Sequence, residues 1–277
     1  MKRHIENLCK WGRVGRKALI IQLFVPLILV AACTEEAPVA DYVERPVDEI
    51  YNDALNVLEQ GDYEDAAIMF DEVERQHPYS TWATKAQLMS AYSYYQDDAY
   101  DSAVVALDRF IQLHPSSPDV PYAYYLKALS YYEQISDITR DQKMTELALQ
   151  TLTELAKRFP GSKYAKDAKL KLDLTRDHLA GKEMEIGRYY LKQGHHLAAI
   201  NRFKTVVVKY QSTTHVPEAL HRLAEGYVAL GVELEAQKVA AVLGHNFPGS
   251  QWYEDAYALV EGKLIKPKED DPWYKLW

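Results

Sequence analysis

An all-α solenoid of about five helical hairpins follows from three features of this 277-residue sequence. Apolar residues recur at helical spacing from Val47 onward, short polar breaks separate the helical segments, and one spacing of small and bulky side chains returns five times. With 48% apolar residues and only 12 Gly and 12 Pro, the chain has apolar area for an extended core and little room for disorder.

The first element is a leader. Lys2, Arg3, Lys10, Arg13, Arg16 and Lys17 stand against one acid, Glu6, and precede the apolar run 18–32. A positive segment feeding a short apolar one has the layout of a secretory signal, expected here over residues 1–32. The run is interrupted by Pro26 and is shorter than the ~20 residues a spanning helix needs. It ends in Val30-Ala31-Ala32-Cys33, which resembles a bacterial lipobox, so Cys33 is the expected lipidation site; the alternative is an ordinary buried cysteine. Two or three acyl chains, at ~0.8 kcal/mol per buried methylene, would hold such a protein on a bilayer. Thr34, not Asp, follows the cysteine, as in lipoproteins sorted to the outer membrane.

Removing residues 1–32 takes away mostly positive charge, so the remainder is more acidic than the −8 of the whole chain. Such a body is a poor nucleic-acid binder. Cys9 leaves with the leader and Cys33 would be acylated, so no disulfide is expected and packing must hold the fold. Residues 33–46, acidic and containing Pro38 and Pro46, read as a lipidated flexible tether.

The repeats come next. Ala66, Phe70, Val73 and Pro78 lie at relative positions 0, 4, 7 and 12, and the spacing returns in Ala103, Leu107, Phe110, Pro115 and in Ala148, Leu152, Leu155, Pro160. A fourth copy is Ala199, Phe203, Val206 with Gln211 in place of proline, and a fifth is Ala236, Ala240, Leu243, Pro248. Twelve residues ahead of the marker alanine stands a small residue, Ala54, Ala91, Gly187 or Ala224, and Ala128 fills that place in the third copy if eight residues around 136–141 are inserted. Small residues on both helices let the backbones approach, bulky residues fill the groove beside them, and the proline stops the second helix. This is the tetratricopeptide (TPR) arrangement, with a period of 37 here against about 34 in the common repeat. Stacked hairpins of this kind wind into a superhelix with a concave side.

Between copies three and four the spacing grows to 51 residues, and residues 163–180 keep a helical pattern that runs past Gly181 into Tyr189-Tyr190 as one long kinked helix. The expected organisation is an N-terminal TPR block over 47–160 and a long joint helix with a C-terminal TPR block over 161–264. An end helix over 252–264 closes that block, and a polar tail with Trp273 and Trp277 follows over 265–277.

The chain contains no G-x-S-x-G, GxGxxG, P-loop, H-E-x-x-H or CxxC pattern, so no catalytic site, metal site or cofactor is expected and the reading is not an enzyme. Neighbouring His195 and His196 point apart at a helix start. His77 and His114, each just before a repeat proline, read as caps for the last helix carbonyls. Tyrosine is abundant, at 21 residues against 6 Phe. On the repeat grid Tyr51, Tyr92, Tyr95, Tyr122, Tyr125 and Tyr132 fall on first-helix positions that line the concave groove of TPR arrays, where their rings can hold an extended peptide. The plainer alternative is that they pack between adjacent helices.

Several stretches resemble the BamD family, the TPR lipoproteins of the bacterial outer-membrane β-barrel assembly machinery. They are Tyr51-Asn52-Asp53-Ala54 with Gly61-Asp62-Tyr63, the run from Asp108 to Pro115, the run from Arg158 to Tyr164, and Tyr189-Tyr190 leading into Ala199-Ile200-Asn201-Arg202. The likeness covers Pro46 to about Gly262. It implies a lipid-anchored protein on the periplasmic face of the outer membrane, with other Bam components, the POTRA region of BamA and unfolded outer-membrane protein precursors as partners. It further implies that the tyrosine set faces precursors and that Asn201 and Arg202 face BamA. The tail after Lys263 departs from the family pattern. The runner-up is another periplasmic TPR adaptor, such as a CpoB-like partner of the Tol-Pal system. Those adaptors usually carry a coiled coil and lack a lipobox.

Overall fold

The computed structural model describes residues 44–261; the expected leader 1–32, Cys33 with most of its tether, and the tail 265–277 lie outside them. Among the described residues there are eleven α-helices and no strand. Helices α1 (Val47–Gln60) and α2 (Tyr63–Gln76) form the first hairpin, α3 (Thr81–Gln96) and α4 (Tyr100–Leu113) the second, and α5 (Val120–Tyr132) and α6 (Lys143–Arg158) the third. The long α7 (Lys163–Lys192) pairs through its second half with α8 (His196–Lys209), then α9 (Val216–Ala229) pairs with α10 (Glu233–Asn246), and α11 (Gln251–Val260) closes the array. Residues 262–264 of the expected end helix 252–264 lie outside the described residues. Every substantial helix–helix packing joins neighbours or second neighbours in the chain.

Two kinds of connector repeat. Within four hairpins the turn needs one residue in the left-handed region: Gly61 (φ 88°), Asp98 (φ 57°), Gly194 (φ 77°) and Gly231 (φ 72°). Glycine takes this conformation without a Cβ clash. At Asp98 the side chain partly compensates by accepting the Tyr100 hydroxyl at 2.7 Å. The third hairpin carries the insertion instead, where the Asp137 carboxylate accepts both the backbone N–H (2.8 Å) and the hydroxyl (2.6 Å) of Thr139.

Between hairpins, each second helix ends on a ring-bearing residue: His77, His114, Phe159, Tyr210 or Phe247, all near φ −130° and ψ 50°. A residue before proline is excluded from the helical region. Tyr210 takes the same conformation although Gln211 follows it, so packing of the ring also contributes. The expected role of the histidines is corrected here. The His77 ring meets the Arg45 carbonyl, just ahead of α1, at 2.7 Å, and the His114 ring meets the Gln87 side-chain oxygen on α3 at 2.9 Å, so both bridge to the start or body of their hairpin's first helix. Two residues beyond each proline position a Ser or Thr donates its N–H to the ring residue's carbonyl. Ser80, Ser162 and Ser250 also cap the next helix through their hydroxyls.

The core is the grid. Ala54, Ala66, Ala91, Ala103, Ala128, Ala148, Ala199, Ala224 and Ala236 are all fully buried, as are Phe70, Leu107, Leu152 and Phe203 between them. At Gly187 a Cβ would sit 2.4 Å from Cε1 of Phe203, so only glycine fits between α7 and α8 as packed. Along α7 the apolar core divides. Ala168 and Leu172 belong to a cluster with α3 to α6, whereas Ala180 and Met184 belong to one with α8 to α11. The stretch between them is tied by polar contacts, with the Asp177 carboxylate accepting the Thr214 N–H at 3.0 Å and lying 3.6 Å from His215.

Candidate functional site

Four of the six singled-out tyrosines come together on the first-helix side of repeats two and three. Tyr92 and Tyr95 project from α3, and Tyr122 and Tyr125 from α5, all half-buried against one core cluster. The rings are held by helical spacing and by α7, whose Tyr164 stacks on Tyr125 at 5.2 Å and packs on Tyr122 at 5.4 Å. Sequence reasoning missed Tyr164 and Tyr100 as members; Tyr100 packs on Tyr95 at 5.8 Å. Their signal, an aromatic at the start of a helix, is indistinguishable by spacing from a core residue. Tyr132 lies beside this set, with the Lys171 ammonium 4.6 Å from its ring centre. Tyr51 does not join. It is 9% exposed and wedged between Phe70 (5.4 Å) and Trp82 (4.9 Å), a core residue of the first hairpin rather than a groove residue.

Several of the phenols hold their protons more tightly than a free tyrosine. Burial, then the neighbouring Tyr92, Tyr164 and Tyr95 hydroxyls, push Tyr122 up to about 12. Burial followed by the hydrogen bond to Asp167, at 2.7 Å, raises Tyr125, and burial followed by Glu133 and Asp98 raises Tyr95. Neutral phenols both donate and accept, which suits them to a peptide backbone. The surrounding charges are Asp98, Glu133 and Asp167 against Lys163, whose ammonium lies over Tyr164, and Lys171, 3.9 Å from Asp167.

Repeats four and five carry different chemistry at equivalent positions. Arg188 on α7 bonds both Glu218 carboxylate oxygens on α9 (3.2 and 3.1 Å) and Glu185 (3.0 Å). Arg222 meets Glu225 at 2.8 Å and Glu218 at 3.6 Å, and stands over the Trp252 ring of α11. His221 packs on Trp252 at 5.4 Å, and burial followed by the Arg222 charge lowers its pKa. This network was not legible from sequence because its partners lie on different helices.

On the outer side of the fourth hairpin, Tyr190, Ala198, Asn201, Arg202 and Thr205 line a surface pocket of about 340 Å³. Arg202 is half-exposed and ion-paired with Glu183 at 3.2 Å. The structure therefore brings Asn201 and Arg202 into one surface, apart from the tyrosine set. Among the described residues no group of three His, Cys, Asp or Glu is placed to hold a metal, and no helix is long and apolar enough to cross a membrane.

Known proteins share this sequence over most of its length. Residues 43–243 match the outer membrane lipoprotein family YfiO. The outer membrane protein assembly factor BamD of Caulobacter vibrioides is 48% identical over 91% of this chain and 84% of its own. That of Rickettsia prowazekii is 45% identical over 88% and 96%. Among solved structures, the TPR domain of P58(IPK) superposes with a TM-score of 0.41 at 16% identity, over 78% of this chain and 56% of that one, which adds nothing to the hairpin geometry above. By the family match and by identity over nearly the whole of both relatives, the chain belongs to the YfiO/BamD family of outer membrane protein assembly factors.

Proposed function

We propose that this protein is a lipid-anchored scaffold on the periplasmic face of the outer membrane, and that it acts by binding, not by catalysis. In this reading Cys33 carries the lipid and the N-terminal block 47–160 takes up unfolded barrel-protein precursors. The C-terminal block 161–264 holds the POTRA region of BamA through the surface of Asn201 and Arg202, beside other Bam components. The observation that carries it is the set of half-buried tyrosines on α3 and α5, which offers apolar rings and hydrogen-bonding tips to an extended, aromatic-ended segment. Anchoring the scaffold beside BamA would turn capture and delivery into local events at high effective concentration. The assembly-factor names of the relatives favour this reading over a Tol-Pal-type adaptor.

The test has two arms. In the first, Tyr92→Ala with Tyr125→Ala weakens binding of barrel-precursor C-terminal peptides at least tenfold by fluorescence anisotropy; unchanged affinity removes the groove assignment. In the second, Arg202→Ala lowers recovery of BamA when the membrane-extracted protein is affinity-purified and its partners are identified by mass spectrometry. Equal recovery there removes the second surface but leaves the first.

A further inference from the structure

The tyrosine set has a direction. Along α5 it runs through Tyr122, Tyr125 and Tyr132, and α7 advances beside it, with Tyr164 against Tyr122, Asp167 against Tyr125 and Lys171 against Tyr132. Ten residues of helix from Tyr122 to Tyr132 make a wall about 15 Å long at 1.5 Å per residue, the span of roughly five extended residues.

The two ends differ in charge. At the start of α5 stands the Lys163 ammonium, 5.0 Å from the centre of the Tyr164 ring. At its end stand Glu133 and Asp98, both acting on the Tyr95 and Tyr100 hydroxyls, with Asp98 accepting from Tyr100 at 2.7 Å. Lys171 also lies near this end, but its charge is met by Asp167 and its ammonium sits over Tyr132. Glu133 takes part in none of the ion pairs found among the described residues. An aromatic wall with an uncompensated carboxylate at one end offers a cation both ring faces and an opposite charge.

We propose that the groove selects extended aromatic peptides that carry a lysine or arginine, and that Glu133, with Asp98, is the residue that reads it at the α5 C-terminal end. This rests on the peptide-binding role proposed above and adds the charge class and orientation of the ligand.

The test uses the full chain and two fluorescein-labelled hexapeptides with blocked termini, identical in three aromatic residues and differing only by Lys or Glu at one end. The Lys peptide binds at least fivefold tighter than the Glu peptide. Glu133→Lys abolishes or reverses that preference, Glu133→Gln reduces it, and Lys163→Glu at the opposite end leaves it in place. Equal affinity for both peptides, or a preference that follows Lys163 and not Glu133, overturns the inference. If binding is still lost in Tyr92→Ala with Tyr125→Ala, the peptide-binding role survives that outcome. Failure of the unaltered chain to bind either peptide overturns both.

Discussion

Repeats two and three and repeats four and five share one skeleton and differ in what they present from it. Six residues before the small residue of the first helix, repeat three has Tyr122 where repeat five has Glu218; three before, Tyr125 faces His221; one after, repeat two has Tyr92 where repeats four and five have Arg188 and Glu225. The buried grid beneath is shared by both halves, save for Gly187 in place of an alanine and Ala240 in place of a bulky residue. Fold is therefore written in the alanines and bulky residues that touch across each hairpin, and the chemistry that differs between the halves in a separate set of positions packed at the edge of that core. One half is an aromatic wall. The other is an ion network closed on itself, which holds α7, α9 and α11 together.

The sharpest way to probe the contrast is Gly187, a grid position where the halves differ in packing. Gly187→Ala forces the fully buried Phe203 ring to move and should cost about 1–3 kcal/mol, read as a lowered urea midpoint. The equivalent Ala91 already carries a Cβ, and Ala91→Gly should cost less, about 0.5–1 kcal/mol, mainly through backbone entropy. Equal losses would show that the two hairpins are not packed differently.

Next in size, Arg188→Ala removes both bonds to Glu218, whose side chain is only 16% exposed, and should destabilise the C-terminal repeats by about 1 kcal/mol. The loss should shrink in high salt. A chain insensitive to salt in this comparison would rule out the network as the element joining α7 to α9.

The smallest and most selective effect is in pH. Tyr122 is raised to about 12, so the folded form keeps its proton while the unfolded chain loses it near 10. Its contribution is complete below pH 10 and lost as pH rises toward 12. His221 is depressed, so its contribution is present above about 6.5, the ordinary value, and lost as pH falls below it. Hydrogen exchange should therefore show α3 and α5 loosening first in alkali, and α9 with α11 first in mild acid. The reverse order would break the comparison.

Much of this was legible from the chain because side chains that touch within a hairpin recur at fixed spacing. Ala54 and Ala91, and the residues that pack on them, needed only periodicity, and Ala128 needed in addition an eight-residue insertion. That α7 runs on past Gly181 was also expected, though as a kinked helix, since the apolar pattern continues across both of its glycines and no proline interrupts it. The fate of Tyr51 was not, because the same grid position is core in a hairpin whose next helix supplies Trp82 and only half-buried in one whose neighbour supplies Asp167. Ion pairs such as Arg188 with Glu218, thirty residues apart, escape any local reading.

Because among the described residues no helix depends for its main packing on one further away than its second neighbour, the packing of these helices has no closing step that awaits a remote helix. A chain threaded end-first through a pore can set each hairpin as it emerges, and the polypeptide still in transit withholds nothing that the emerged part requires.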